Sequence, residues 1–295
     1  MSNANLHITT RTAYGVLMQT DLTLGLPYVP MALTTLNEKW NIHKNTGWPD
    51  SVMPRVEYYA IGNGGHKSAT GADGIGYFEP IPHRVVDAAL YNHLPFVLRP
   101  INADLTVTER EKYGMRVPRT YGGVNYWAYF LKRVDLTNVT PQVQKTVIVD
   151  GVSTVTGFVP DSTALSPTAP EIPPTSVTET NGEFLSVIAV MDISFSAADV
   201  QELINVCRII YNNEYLAAIS EIALVGGVRR PVSLLDQNGV AQPSNYHECL
   251  GATVVSHTTA YYPVGMANEG VVLKVKVGAN EPMFGPSQTT LDPVP

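Results

Sequence analysis

The stretch "IGNGGHKSATGADGIG", residues 61–76, sets six glycines around His66 and Lys67, and Ser68 follows the lysine directly. Glycine, lysine and serine are the residue types of a phosphate cradle, in which backbone N–H groups and an ammonium surround the anion. The spacing does not complete one. A P-loop needs glycine directly before the lysine and a helix directly after the serine; here His66 separates Gly65 from Lys67, and "ATGADGIG" is too rich in glycine for a helix. A dinucleotide fingerprint fails because no helix follows. Gly64 and Gly65 are therefore read as positions that allow positive φ and close approach of the backbone to a neighbouring subunit or strand, with His66 and Lys67 on the rim of that contact.

Other chemistries find no better footing. Seven histidines leave a Ser/His/Asp arrangement open by number, but there is no G-x-S-x-G elbow. Asp192, Asp199, Glu202, Glu109 and Glu111 read as caps and solvated helix faces. His83 and His93 flank a proline-bounded segment and His247-Glu248 is an isolated pair, so no metal-ligand spacing emerges. Cys207 and Cys249 lack a C-x-x-C partner and read as small buried hydrophobes. The sequence thus predicts no catalytic residue, no cofactor and no metal. The aromatic runs "VEYYAI", "NYWAYF" and "TTAYYP" place adjacent rings on opposite faces of strands, one in the core and one at a surface or interface. Tyr126, Trp127 and Tyr129 are the candidates for such an interface or, in a second reading, for a platform on which a sugar stacks.

Composition bounds the partners. At roughly 100–200 residues per domain, the 295 residues make one large domain or two smaller ones, and we read one. Charged residues are 15% of the chain, against a usual fraction of about 25%, as expected if much of the surface is covered by partners. A net charge of −7 provides no basic field for nucleic acid or an anionic membrane, so at most transient, non-specific contact with passing DNA is expected. No signal-peptide pattern and no apolar run of about 18 residues is present, which points to a soluble protein made in the cytosol.

The elements that must position these residues follow from periodicity and breakers. Pro27 and Pro30 in "LTLGLPYVPMAL" argue for an extended N-terminal arm over residues 1–50. A short strand spans Arg55 to Ile61. "HRVVDAALYNHL" is compatible with a short helix ended by Pro95 or with irregular structure. "PFVLRPINADL" reads as a strand, and "TVTEREKYG" as a helical turn capped by Thr106 or Thr108 and stopped by Gly114. "NYWAYFLKRV" is strand-like, and Asp150-Gly151 marks a hairpin. Residues 159–182 hold five prolines and many Ser and Thr, a second candidate arm. "FLSVIAVMDISF" is a buried strand. "SAADVQELINVCRIIYNN" is the principal helix, with Ser196 and Asp199 as its cap and Val200, Leu203, Ile204, Cys207 and Ile210 on its core face. A strand from Ile219 completes a strand, helix, strand unit. "VVLKVKVG" reads as a half-buried or edge strand, with Lys274 and Lys276 of the kind that blunt edge pairing. The fold class is α+β, mainly β, with a sandwich or barrel-like core.

The run "YYAIGNGGHK", then "PIPHRVVDAALYNHLPFVLRPINADLTVTEREKYGMR", then "YLAAISEIALVGGV" resembles a family of tailed-bacteriophage virion structural proteins, over residues from about 55 to 280. The matched positions include His83, Leu94, Pro95, Phe96, Arg99, Asp104, Leu105, Thr106, Glu109, Arg110 and Tyr113, and later Ser220, Glu221, Ile222, Ala223 and Leu224. No catalytic role travels with them. The resemblance implies a subunit of the phage neck or tail, a head-to-tail connector, collar or tail-terminator ring, made in the host cytoplasm and built into the virion. Its partners would be identical subunits and neighbouring neck, tail or portal proteins, with no membrane. A tail-associated carbohydrate or receptor-binding module is the alternative.

Overall fold

A computed structural model describes residues 8–71, 73–167, 182–235, 241–242, 246–264 and 270–283. In chain order the elements are β1 (Ile8–Arg11), α1 (Ala13–Leu24), α2 (Leu36–Lys39), β2 (Arg55–Gly62), β3 (His66–Thr70), β4 (Gly76–Pro80), β5 (His93–Leu94), β6 (Val97–Pro100), α3 (Val107–Arg110), β7 (Tyr113–Tyr121) and β8 (Val124–Arg133). They continue as β9 (Gln142–Val149), β10 (Val152–Gly157), β11 (Gly182–Phe195), α4 (Ala197–Tyr211), β12 (Ile219–Pro231), β13 (Leu234–Leu235), β14 (Ala241–Gln242), β15 (His247–Tyr262) and β16 (Val271–Pro282). The fold is α+β and mainly β. Its larger sheet has eight strands along the path β1-β15-β12-β2-β8-β6, with β5 on β2 and β7 on β8, and a second sheet runs β10-β9-β11-β16. Neither closes among the described residues, which sets aside the barrel alternative.

The chain divides into two compact units, Met1–Asp135 with Ile193–Leu273 and Leu136–Asp192 with Lys274–Pro295. The physical reason is local pairing: β9 bonds to β10 on one side and to β11 on the other, and neither β9 nor β10 bonds to a strand of the eight-stranded sheet.

In the first unit, β12 and β15 are buried along most of their length, β15 together with polar residues such as Thr253, Ser256 and His257. Both rings of "EYYA" are buried, Tyr58 at 1% and Tyr59 at 2% exposure, so the expectation of one inward and one outward ring fails where both faces of a strand are covered. Tyr59 meets Phe96 edge-on at 5.1 Å, and Phe195 joins the same cluster. Helix α4 begins in the expected Ser196/Asp199 capping box and ends at Asn212 in the left-handed region. Its core face is Val200, Leu203, Val206 and Cys207, with Ile204 and Ile210 half-buried. Glu202 receives both terminal nitrogens of Arg99 at 2.8 and 2.5 Å, and Asp199 receives Lys132 at 2.7 Å, which holds the helix to β6 and β8. The strands flanking α4 belong to different sheets, so the unit is not a crossover within one sheet.

The N-terminal segment differs most from expectation. Residues 13–24 are a helix capped by Thr12, whose side chain accepts from Gly15 N, and closed by left-handed Gly25. Pro27 lies beyond that cap, where it stops a helix without forbidding one. The segment is no free arm, because it covers the long edge of β15. Strand β1 pairs with residues 256–259, Thr12 N donates to Val255 O, and Thr35 bridges Thr253. Next along β15, Asn37 acts as a substitute strand: its Nδ2 donates to Cys249 O at 3.0 Å and its Oδ1 accepts from Ala252 N at 2.8 Å.

Three further readings resolve here. Thr106 caps α3 in a full capping box, but Gly114 lies in β7, where a Cβ would stand 2.3 Å from the Tyr58 ring. Asp150 at φ 49° and Gly151 at φ 78° form the predicted hairpin turn between β9 and β10. Of the second candidate arm, residues 168–181 lie outside the described residues, and 159–167 include one exposed 3-10 turn, Ser162–Leu165.

Asn37→Ala leaves a buried N–H and C=O of β15 unpaired. We expect a loss of about 2–4 kcal/mol, read as a lower urea midpoint. A midpoint equal to wild type would show that the segment does not guard this edge.

Candidate functional site

The glycine stretch is not an open loop. Gly64 N donates to Glu221 Oε1 at 2.8 Å, and Gly65 N to Ser220 Oγ at 3.0 Å. A Cβ at Gly64 would lie 2.9 Å from Asn92 N, and one at Gly65 would lie 2.5 Å from Glu221 Cγ and Ser220 O. The close approach is therefore to the chain's own loop and to β12. Positive φ is not what these two need; in this stretch Gly74 has it, at 78°. The residues after Gly65 form the β3–β4 hairpin, with His66 opposite Pro80. The His66 ring packs on Tyr261 at 4.6 Å, and exposed Lys67 pairs with Glu79 at 3.1 Å.

Glu221, fully buried in the middle of this arrangement, is the centre of the site. Its Oε1 accepts from Gly64 N and from Asn92 N at 3.1 Å, and its Oε2 from Tyr91 N at 2.7 Å and His83 Nε2 at 2.9 Å. The His83 ring is stacked between Tyr91 at 4.1 Å and His257 at 3.9 Å. Its Nδ1 stands 3.4 Å from Asp87 Oδ2 without the alignment of a hydrogen bond. His257 Nε2 in turn meets Asp87 O at 3.0 Å. A histidine between two carboxylates has the residue types of a proton relay, but the side chains of His83 and Glu221 are 0% exposed, so no substrate reaches them. This explains why residues 81–92 form no helix: Tyr91 and Asn92 give their N–H groups to Glu221, and Leu90 gives its own to His93 Nε2.

A second polar node sits under the aromatic strand. Asp104 accepts from Tyr129 at 2.7 Å and pairs with Arg116 at 2.8 Å and Arg110 at 3.0 Å. Tyr129 is thus in the core at 0% exposure, away from any partner. Burial, then the bond to Asp104, pushes its hydroxyl well above the usual range. Tyr126 and Trp127 are half-buried, and the Arg116 guanidinium covers the indole at 4.2 Å. The sequence singled out Tyr129 and missed Asp104 as its partner, although both stand in conspicuous runs.

Elsewhere, an open cleft of about 300 Å³ is lined by Ser51, Val52, Met53, Arg55, Glu57, Gly227 and Arg229, where Arg229 already pairs with Glu57. Cys207 and Cys249 are free and buried, and burial pushes the Cys207 thiol up to about 12. Among the described residues, no group of three or more His, Cys, Asp or Glu could hold a metal, and no helix is long and apolar enough to cross a membrane.

The model of a family of unknown function, DUF7208, matches residues 1–291. The chain belongs to that family. No curated protein and no solved structure matches it. The match takes in both units, so the second is part of the family pattern.

Removing the carboxylate by Glu221→Ala strands three N–H groups and an imidazole; we expect a loss of about 3–5 kcal/mol in urea unfolding. Burial, followed by the charge of His83, lowers His257 to about 4; burial, followed by Lys39, lowers His93 to about 3. The unfolded chain takes up these protons near 6.5, so this contribution is whole above that pH and falls as pH drops from 6.5 through about 4 for His257 and toward about 3 for His93. Urea midpoints measured across that window should decline; a flat profile would contradict the burial of these rings.

Proposed function

We propose that the protein is a structural subunit of a tailed-phage particle. It assembles with identical copies into a ring in the neck or tail, as a head-to-tail connector, collar or tail-completion piece, and it carries no catalytic activity. One observation carries the assembly reading. Leu33 is 86% exposed and sits at φ 63°, a conformation that a leucine pays for with about 1–2 kcal/mol. Glu38 holds it there, Oε1 accepting from Leu33 N at 2.8 Å and Oε2 from Thr34 N and Thr35 N at 3.1 Å each. A strained, exposed apolar residue gives a lone chain nothing, whereas a partner's apolar pocket would gain from a side chain already fixed in place. Val29 at 70%, Met31 at 57% and Leu24 at 64% exposure lie within ten residues before it in the chain.

The phage reading rests on the resemblance of the "DLT..ER..Y" and "SEIAL" runs, whose residues here build the Asp104 and Glu221 nodes. Partners would be identical subunits and adjoining neck, tail or portal proteins in the virion, assembled in the host cytoplasm. The sugar-platform alternative is weakened by the burial of Tyr129 and by the arginine that covers Trp127.

Electron microscopy of purified protein should show rings, and mass spectrometry of purified particles should detect the chain; its absence from particles would end the virion reading. Leu33→Asn, a residue at ease with positive φ, should keep or raise the urea midpoint, by up to about 1 kcal/mol, while weakening self-association. Self-association at wild-type strength would remove Leu33 from the contact.

A further inference from the structure

We infer that the free edge of β10 in one copy pairs with the free edge of β16 in the next, so that the four-stranded sheets of successive copies continue as one. The inference rests on the ring assembly proposed above and names its contact.

The sheet runs β10-β9-β11-β16, and its two outer strands have no second neighbour among the described residues. An open edge is a row of unpaired N–H and C=O groups that recruits a strand unless something blocks it. Nothing blocks β10. Its six residues, VSTVTG, include no charge and no proline, and all are exposed. Its tight Asp150-Gly151 turn fixes its register on β9, Val152 opposite Val149 through Gly157 opposite Gln144. By contrast β1, an outer strand of the larger sheet, has only four residues and ends in Arg11.

Three pairings between copies can be compared. Two β16 edges together would set Lys274 and Lys276 against their own kind, and like charges on facing strands repel. Two β10 edges together would close a two-fold dimer and leave the twelve-residue edge of β16 open. Pairing β10 with β16 satisfies both edges and sets uncharged Val, Ser and Thr beside the lysines, whose ammonium groups stay in water. Lys274 already has Asp192 at 3.0 Å on its own sheet. This contact joins two different edges, so it propagates from copy to copy and can close a ring.

The faces of the sheet agree with this. Cross-strand register puts Val143 with Val187 and Val149 with Val152 on one face, at 39%, 48%, 57% and 69% exposure. Among the described residues of this unit only Ser186, Met191 and Val275 are buried, so the sheet is short of covered apolar surface in a single copy. Continuing it through neighbours would shield the edge valines from water.

Sedimentation velocity on the full chain tests the pairing. Val152→Lys with Val155→Lys adds charge to both faces of β10 at positions 69% and 54% exposed, so the circular dichroism spectrum should be unchanged while self-association weakens at least tenfold. Should that variant misfold, cysteine pairing decides on an otherwise native chain: Thr154→Cys mixed with Lys274→Cys or Lys276→Cys should form a disulfide between copies. If wild type assembles and the lysine variant assembles equally well, the edge pairing is overturned and the ring reading stands. If Thr154→Cys links only to itself, the two-fold pairing replaces the one inferred. If wild type stays monomeric at every concentration, the ring reading itself fails.

Discussion

A carboxylate cut off from water is tolerated only where donors meet its lone pairs, and in this protein that requirement falls on Glu221. Three backbone N–H groups and His83 converge on it from residues 64 and 83–92. The segments that supply them have no regular structure to satisfy those groups otherwise, so the side chain of one β12 residue dictates the path of two loops. The rings of Tyr91, His83 and His257 stack beside it, and burial holds His257 well below the usual imidazole range. The residue types of a catalytic relay serve here to hold loops.

The same need to satisfy backbone groups explains how the sheets are edged. The first unit guards the long edge of β15 with a short strand, the Thr12 cap and the side-chain amide of Asn37, all drawn from the N-terminal residues. In the second unit β10 has no charge, no proline and no covering segment among the described residues. Sheet edges left unprotected are a liability in a monomer and a means of attachment in an assembly. We take the contrast as support for the proposed ring, together with a leucine held in a strained, exposed conformation.

What could be read from the sequence was local in origin. The Ser196/Asp199 and Thr106/Glu109 caps, the Asp150-Gly151 turn and the inward-outward alternation of β16 all depend on residues within a few positions of one another. Helix α1 was misread because Pro27 was weighed as a helix breaker, although a left-handed Gly25 ends the helix before the proline is reached. The β3–β4 hairpin was hidden by its glycines, which suggested a loop. Tyr129 passed for a surface ring because period-two alternation assumes one wet face, and this strand has none at that point.

The sequence by itself determined the class of the protein: a β-rich, weakly charged chain with one amphipathic helix, an unfinished phosphate motif and no cysteine or histidine spacing for chemistry. These are matters of composition and short-range order, and they need no knowledge of what lies opposite. Only the tertiary structure decided that Gly64 and Gly65 face Glu221, that Asp104 anchors Tyr129, and that β10 has no second neighbour among the described residues. Each joins residues far apart in sequence or depends on which strands fail to pair, and such pairings are set by competition for burial and hydrogen bonds across the whole sheet.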